Sequence, residues 1–318
     1  MKIVILDAYT SSLDDLNWDA FKTLGELTVY DRTPKDKIIE RAKDADAVLT
    51  NKVPMFKDQL DRLPNLKYLG ILATGYNNVD LEEAKRRGIP VTNIPAYGTD
   101  SVAQAVFAHI LNIANMTEAH SIEVRKGAWT KSPDMAMTLG RLTELAGMKL
   151  GVIGYGAIGR RVAEIGKAFG MEVSAFSPSR KPGTSENGVS FKTRDEIFST
   201  SDVISLNAPL NSDTRGMVNA DTIKMMKDGV WIINTGRGPL IDDAALADAL
   251  NSGKVGAAGL DVLSKEPPPA DNPLLSAKNC HLTPHNAWMT HAARKRLIGI
   301  AFDNLKSWMD GRVQNDVS

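Results

Sequence analysis

The feature that most restricts this chain is a six-residue run, Gly154-Tyr155-Gly156-Ala157-Ile158-Gly159, which matches the pattern G-x-G-x-x-G. Glycine clusters also make ordinary turns, so the flanking residues decide its meaning. The apolar run 150–153 leads into it. Ile158, Val162, Ile165 and Phe169 follow at the three- and four-residue spacing of an amphipathic helix. Strand, glycine turn and helix in that order form the phosphate-binding corner of a βαβ unit. Gly154 permits the tight turn, Gly156 lets backbone approach a pyrophosphate, and Gly159 lets helix and strand pack closely. The N-terminus of the helix offers unpaired N–H groups and the positive end of its dipole to the phosphates.

The rest of the chain agrees with an α/β architecture. Apolar runs of strand length occur at 2–6, 27–30, 47–50, 68–72 and 90–93, and again at 149–153, 172–176, 203–206, 230–234 and 255–260. Charged, helix-compatible stretches such as 33–43 and 79–87 separate several of them, as in a doubly wound parallel sheet. A long helix is expected from Asp100 to about His120, with Val102, Val106, Ile110, Ile113 and Met116 on one stripe. A second is expected over 242–251, and the tail 289–309 is amphipathic through Ile298, Phe302, Leu305 and Met309. Residues 121–146 have no clear period and read as a weakly structured arm.

A length of 318 residues suggests two domains. Lys+Arg and Asp+Glu both number 38, so no global field draws the chain to nucleic acid or an anionic membrane. The one cysteine, Cys280, excludes an internal disulfide and a cysteine-rich metal site, and no His spacing suggests a metal. Nothing approaches the ~20 apolar residues of a membrane span. Asp7 interrupts the first apolar run too early for a signal peptide, so a cytoplasmic location is expected.

The position that reads the adenosine ribose is unusual. The fingerprint expects an acidic residue about 20 positions on, to bind the ribose 2′-hydroxyl. Ser177 stands there, followed by Arg180 and Lys181. Serine does not repel a 2′-phosphate and the two cations suit one, so NADP(H) is favoured, with NAD(H) still admissible. Alternatively, the two cations are only a solvated loop.

Three later segments carry candidate chemistry: Asn234-Thr235-Gly236-Arg237-Gly238, Ser264-Lys265-Glu266-Pro267-Pro268 and Thr283-Pro284-His285-Asn286-Ala287-Trp288. Alone, each reads as a loop charge or a packed ring. In this order, behind the glycine fingerprint and with Ala73-Thr74-Gly75-Tyr76-Asn77-Asn78-Val79-Asp80 and Ser101-Val102-Ala103-Gln104, the chain closely resembles the D-isomer-specific 2-hydroxyacid dehydrogenases. The likeness spans essentially the whole chain. It implies a catalytic set of Arg237, Glu266 and His285. Reducing a 2-keto acid needs a hydride at the carbonyl carbon and a proton at its oxygen. A histidine titrates nearest neutrality and suits the acid role. A carboxylate beside it favours imidazolium and fixes its orientation. An arginine fork matches the substrate carboxylate.

The same resemblance implies coenzyme contacts at Ala157, Ile158, Ala208, Pro209, Thr214, Thr235 and Asp261, with Asp261 facing the nicotinamide carboxamide. It places Thr74 and Gly75 on the substrate carboxylate, and Asn51 at a strand end lining the same site. It further implies two α/β lobes with a cleft between them: a Rossmann coenzyme domain over 99–287, and a flavodoxin-like substrate domain of 1–98 with 288–318. A homodimer built through the arm 121–146 is expected. Within the family, the segments look most like the glycerate dehydrogenase (hydroxypyruvate reductase) branch. That branch acts on a short 2-keto acid such as hydroxypyruvate or glyoxylate, reversibly. Asn286 departs from the small apolar residue usual there. The alternative from another class is a dinucleotide-sensing, corepressor-like binding protein of the same fold.

Overall fold

The long apolar runs become strands of two parallel sheets. A computed structural model describes all residues, Met1–Ser318, and divides them into one unit of Met1–Gly98 with Trp288–Ser318 and a second of Thr99–Ala287.

In the first unit, β1 (Lys2–Ile5), β2 (Glu26–Val29), β3 (Ala47–Thr50), β4 (Tyr68–Ile71) and β5 (Val91–Thr92) pair in parallel, in the order β2-β1-β3-β4-β5. Every residue of β3 and β4 is buried, as in a parallel sheet covered on both faces. The strand period of two sends alternate residues to opposite layers. Val4, Val48 and Leu69 join Ile38, Leu60 and Ala84 on one side; Ile3, Ile5, Leu49 and Tyr68 meet Phe21, Leu297, Ala301 and Leu305 on the other. The last three belong to the C-terminal helix, His291–Met309, so the end of the chain completes the core that its start begins. Arg294 secures that helix by a forked ion pair to Asp15, at 2.6 and 2.7 Å, and a bond to the carbonyl of Ser12 at 3.1 Å.

The second unit holds β6 (Lys149–Ile153), β7 (Glu172–Phe176), β8 (Ser185–Glu186), β9 (Val189–Phe191), β10 (Val203–Leu206), β11 (Val230–Asn234), β12 (Val255–Leu260) and β13 (Cys280–Leu282). Their order is β13-β12-β11-β10-β6-β7-β9-β8, parallel except for the antiparallel β8–β9 hairpin. Helices α1 (Thr99–Asn115) and α3 (Ala157–Ala168), with α2 (Thr117–Arg125) between them in the chain, cover one face through Val106, Phe107, Ile110, Val162 and Ala163. On the other face α4 (Asp243–Ser252) contributes Leu246, Ala247 and Leu250. Asp242 caps α4 by accepting from the N–H groups of Ala244 and Ala245, and Gly253 closes it at φ 83°.

Two expectations need correction. The helix expected to run to about His120 breaks at Met116, whose φ of 51° is left-handed, and α2 resumes beyond it with no buried residue. The apolar stripe that ends at Met116 therefore marks the end of core packing. The arm 121–146 begins inside α2 and then runs without helix or strand to β6.

Both sheets reverse their strand order beside their first strand, between β1 and β3 and between β6 and β10. Loops leaving the carboxyl ends of strands diverge at such a switch point, which leaves a crevice where α/β sheets bind ligands.

Candidate active site

At the switch point of the second unit, the glycine loop leaves β6 and Asn207-Ala208 leaves β10. Gly154 has φ +95°, and a Cβ there would lie 2.7 Å from the backbone of Asn207 and Ala208, so the two loops touch because this residue has no side chain. A Cβ on Gly159 would overlap the carbonyl of Gly154, which is how α3 seats against β6. Gly156 differs: a Cβ there meets no protein atom within 4 Å. The protein does not need that glycine for its own packing, and the space suits a ligand's phosphate. Gly156 is also the N-cap of α3 and makes no side-chain cap bond, leaving the first N–H groups of the helix, at exposed Ala157 and half-buried Ile158, to an outside acceptor.

Around this crevice the structure places the remaining expected coenzyme contacts. Ala208 is buried and Pro209 exposed; Thr214 donates to the carbonyl of Pro209 at 2.7 Å and shapes that loop. Thr235, 8% exposed, and Asn207 each carry a buried side-chain oxygen with no protein partner. Buried polar atoms without partners are rare and expensive, and two beside a glycine loop mark a place for a polar ligand. A nicotinamide dinucleotide fits this set. Ser177 bonds Ser179 at 3.1 Å, and Arg180 is held by Glu186 at 2.9 Å.

The catalytic candidates all lie in this unit, and backbone bonds knit their loops together. Asp261, following β12, is 2% exposed. Its N–H donates to the carbonyl of Asn234, 2.9 Å away, while the side-chain amide of Asn234 donates to the carbonyl of Arg237 at 3.0 Å. The Asp261 carboxylate accepts from the Thr283 hydroxyl (2.6 Å) and from the N–H groups of Asn286 (2.9 Å) and Ala287 (3.0 Å). Its carbonyl accepts from the N–H of His285 (2.8 Å), which sits at a left-handed φ of 52°. A histidine in that conformation persists only where its surroundings enforce it, and here the Asp261 bonds do so. On the imidazole, Nδ1 meets Oε2 of Glu266 at 2.5 Å, with 27% and 35% of the two side chains exposed. The other Glu266 oxygen accepts from the N–H of Leu263 at 3.1 Å. A Cβ on Gly238 would overlap the carbonyl of Leu263, so the turn that carries Arg237 presses on the segment leading to Glu266. The half-buried Arg237 side chain bonds its own neighbour, the carbonyl of Gly236, at 2.8 Å.

One residue that sequence reasoning did not place in the site joins it, and another stands at the switch point of the first unit. His109 of α1, 6% exposed, meets the Thr283 hydroxyl at 3.2 Å, and burial pushes its pKa down toward the neutral ring. Gly259 makes room for it, since a Cβ there would lie 2.5 Å from the His109 Cβ. In the first unit, Asp7 follows β1 at the switch point and accepts from the N–H groups of Asn51 (2.8 Å), Lys52 (2.6 Å) and Val53 (3.2 Å). Burial raises the Asp7 pKa against the pull of those bonds. Asn51 donates to the carbonyl of Leu72 at 2.7 Å and keeps a buried, unpartnered Oδ1. Thr74 is exposed and donates to the carbonyl of Ile94 at 2.8 Å, beside half-buried Gly75.

Residues 107–287 match the model of the D-isomer specific 2-hydroxyacid dehydrogenase NAD binding domain. The full chain is 47% identical to the full length of a hydroxypyruvate reductase from Blautia hydrogenotrophica. The chain belongs to the D-isomer-specific 2-hydroxyacid dehydrogenases. Another member of the family, a glycerate dehydrogenase from Methylorubrum extorquens, is 38% identical over 99% of this chain and 98% of its own. Among solved structures, the D-lactate dehydrogenase from Aquifex aeolicus, complexed with NAD and lactic acid, superposes with a TM-score of 0.81 at 31% identity, covering 98% of this chain and 96% of that one. As a family member the chain is an oxidoreductase of small 2-hydroxy or 2-keto acids with a nicotinamide dinucleotide coenzyme.

Proposed function

We propose that this chain reduces hydroxypyruvate, and glyoxylate less well, to the D-2-hydroxy acid, with NADPH preferred over NADH. The observation that carries the mechanism is the 2.5 Å contact between His285 Nδ1 and Glu266. With Nδ1–H donated to that carboxylate, the imidazolium keeps its Nε2 proton for the substrate carbonyl oxygen, and the carboxylate stabilises the charged ring until transfer. Arg237 leaves the carbonyl of Gly236 to grip the substrate carboxylate with its fork, which also draws charge from the carbonyl. The bound coenzyme supplies the hydride. Thr235 and Asp261 hold the nicotinamide end, and the N–H groups of Ala157 and Ile158 hold the pyrophosphate. We assign Asn51, Thr74 and Gly75 to substrate binding, the unit of residues 1–98 with 288–318 that holds them to the substrate domain, and residues 99–287 to the coenzyme domain.

The NADPH preference is supported by Ser177 at the ribose position and by Arg180, whose half-exposed ion pair is of the weak kind that a phosphate can replace. The similarity to a full-length hydroxypyruvate reductase supports that substrate over other keto acids. We further assign the protein to the cytoplasm as a homodimer assembled through residues 121–146. Ile122, Trp129, Met135 and Leu142 are all exposed there, a concentration of apolar surface that suits a partner copy. No helix is long and apolar enough to cross a membrane.

A panel of 2-keto acids assayed with NADPH and with NADH tests the whole reading. Fastest turnover is expected with hydroxypyruvate and NADPH. Nucleotide binding without turnover of any keto acid would favour a nucleotide-sensing binder instead, and a monomeric mass by light scattering would remove the dimer.

A further inference from the structure

The β8–β9 hairpin adds nothing to the catalytic loops, yet it is built with care. Its two-residue turn is Asn187-Gly188, with φ of 51° and 76°, the conformation that matches strand twist in tight hairpins. It pins Glu186, the last residue of β8, opposite Val189. The Glu186 carboxylate receives one arginine on each oxygen: Arg160 on Oε1 at 2.6 Å and Arg180 on Oε2 at 2.9 Å. Both arginines belong to the coenzyme corner. Arg160 directly follows the last fingerprint glycine, and its guanidinium lies 4.8 Å above the ring of Tyr155, the residue between the first two glycines. The N–H of Arg180 donates to the carbonyl of Ser177 at 3.0 Å, within the turn that reads the ribose, and its guanidinium lies 5.8 Å from the Phe191 ring. Tyr155 and Phe191 themselves pack edge to face at 5.0 Å. Two cations on adjoining aromatic platforms thus converge on one carboxylate.

From this we infer that Glu186 is a specificity-determining residue: its carboxylate occupies the arginine pair in place of the 2′-phosphate of the coenzyme and so limits discrimination in favour of NADPH. The inference rests on the reading that Arg180 faces the ribose 2′ position. A phosphate dianion forms stronger charge-assisted bonds to guanidinium than a carboxylate does, so it can displace Glu186. The displacement costs the two existing ion pairs and brings a carboxylate near a phosphate. NADH, with a hydroxyl at that position, leaves the pairs intact. Glu186 therefore subtracts from NADPH affinity alone.

The test is titration of wild type, Glu186→Gln and Arg180→Gln with NADPH, NADH and 2′,5′-ADP, followed by fluorescence or calorimetry. Glu186→Gln is expected to tighten NADPH and 2′,5′-ADP by about tenfold and to leave NADH within about twofold. In the double variant with Arg180→Gln the gain should disappear. Glu186→Ala should tighten NADPH likewise, and a gain seen with Gln but not with Ala would come from contacts of the amide and overturn the role of the carboxylate. An unchanged NADPH-to-NADH ratio, an equal shift of both nucleotides, or selective weakening of NADPH would each overturn the role of Glu186. The wild-type ratio separately tests the coenzyme preference. A wild type favouring NADH, with a ratio that still moves in Glu186→Gln, refutes that preference alone; a wild type favouring NADPH, with a ratio that does not move, refutes Glu186 alone.

Discussion

The two switch points of this protein solve one electrostatic problem in opposite ways. In each sheet, loops diverge from the ends of two neighbouring parallel strands and present backbone N–H groups that need an acceptor. In the first unit the chain supplies its own anion: Asp7, after β1, accepts three N–H groups from the loop after β3. In the second unit the corresponding place is left to a ligand. Gly156 faces open space, Thr235 and Asn207 keep unpartnered oxygens, and the first turn of α3 has no side-chain cap. An internal carboxylate makes a rigid loop, and an absent one makes a binding site.

If chemistry resides beside the open crevice, the largest effect comes from the imidazole there. Replacing His285 by Ala should lower kcat by roughly 10²–10⁴ while thermal unfolding is unchanged, as turnover and melting curves will report. Activity retained within a few-fold would move the acid elsewhere. Gly156→Val sharpens the contrast directly. It should weaken coenzyme binding by more than about tenfold at little-changed melting temperature, because the Cβ it adds meets no protein atom within 4 Å. Gly154→Val should instead destabilise the fold itself, since it strikes the loop after β10 at a left-handed φ.

A smaller change is expected at the filled switch point. Asp7→Asn replaces one of the two oxygens that accept three N–H groups by a donor and should cost about 1–3 kcal/mol in urea denaturation. KM for the keto acid should rise there with coenzyme affinity unaltered. A fall in coenzyme affinity instead would break the separation of roles. The smallest effect is one of pH. The pKa of Asp7 is raised in the fold, so the native state holds that proton more tightly than the unfolded chain. This contribution to stability is full below the ordinary value of 3.8 and is lost as pH rises through the elevated native value. Denaturation of wild type relative to Asp7→Asn across the acid range should show that decline.

Much of this was legible in the sequence because burial on both faces leaves a strong mark. β3, β6, β7, β10, β11 and β12 are mostly apolar runs with the bounds the pattern predicts. The edge strands of the second sheet carry no such mark: β8 is Ser-Glu and β13 is Cys-His-Leu, half exposed. The hairpin that positions Glu186 was therefore invisible, and Arg180 looked free where it is paired. The pairing of Glu266 with His285 is what the family resemblance implies, and their contact is what geometry adds. The hydrogen-bonding roles of Asp7 and His109 are illegible for another reason. Each acts through partners distant in the chain, 44 residues away for Asn51 and 174 for Thr283, and no local period encodes such pairs.

The return of the C-terminal helix to the first sheet has a consequence for biosynthesis. During translation the amino-terminal strands emerge first, but the layer holding Ile3, Ile5 and Tyr68 stays uncovered until Leu297, Ala301 and Leu305 have left the ribosome. The middle of the polypeptide has its whole core available sooner, so the unit made second is the one that can mature first.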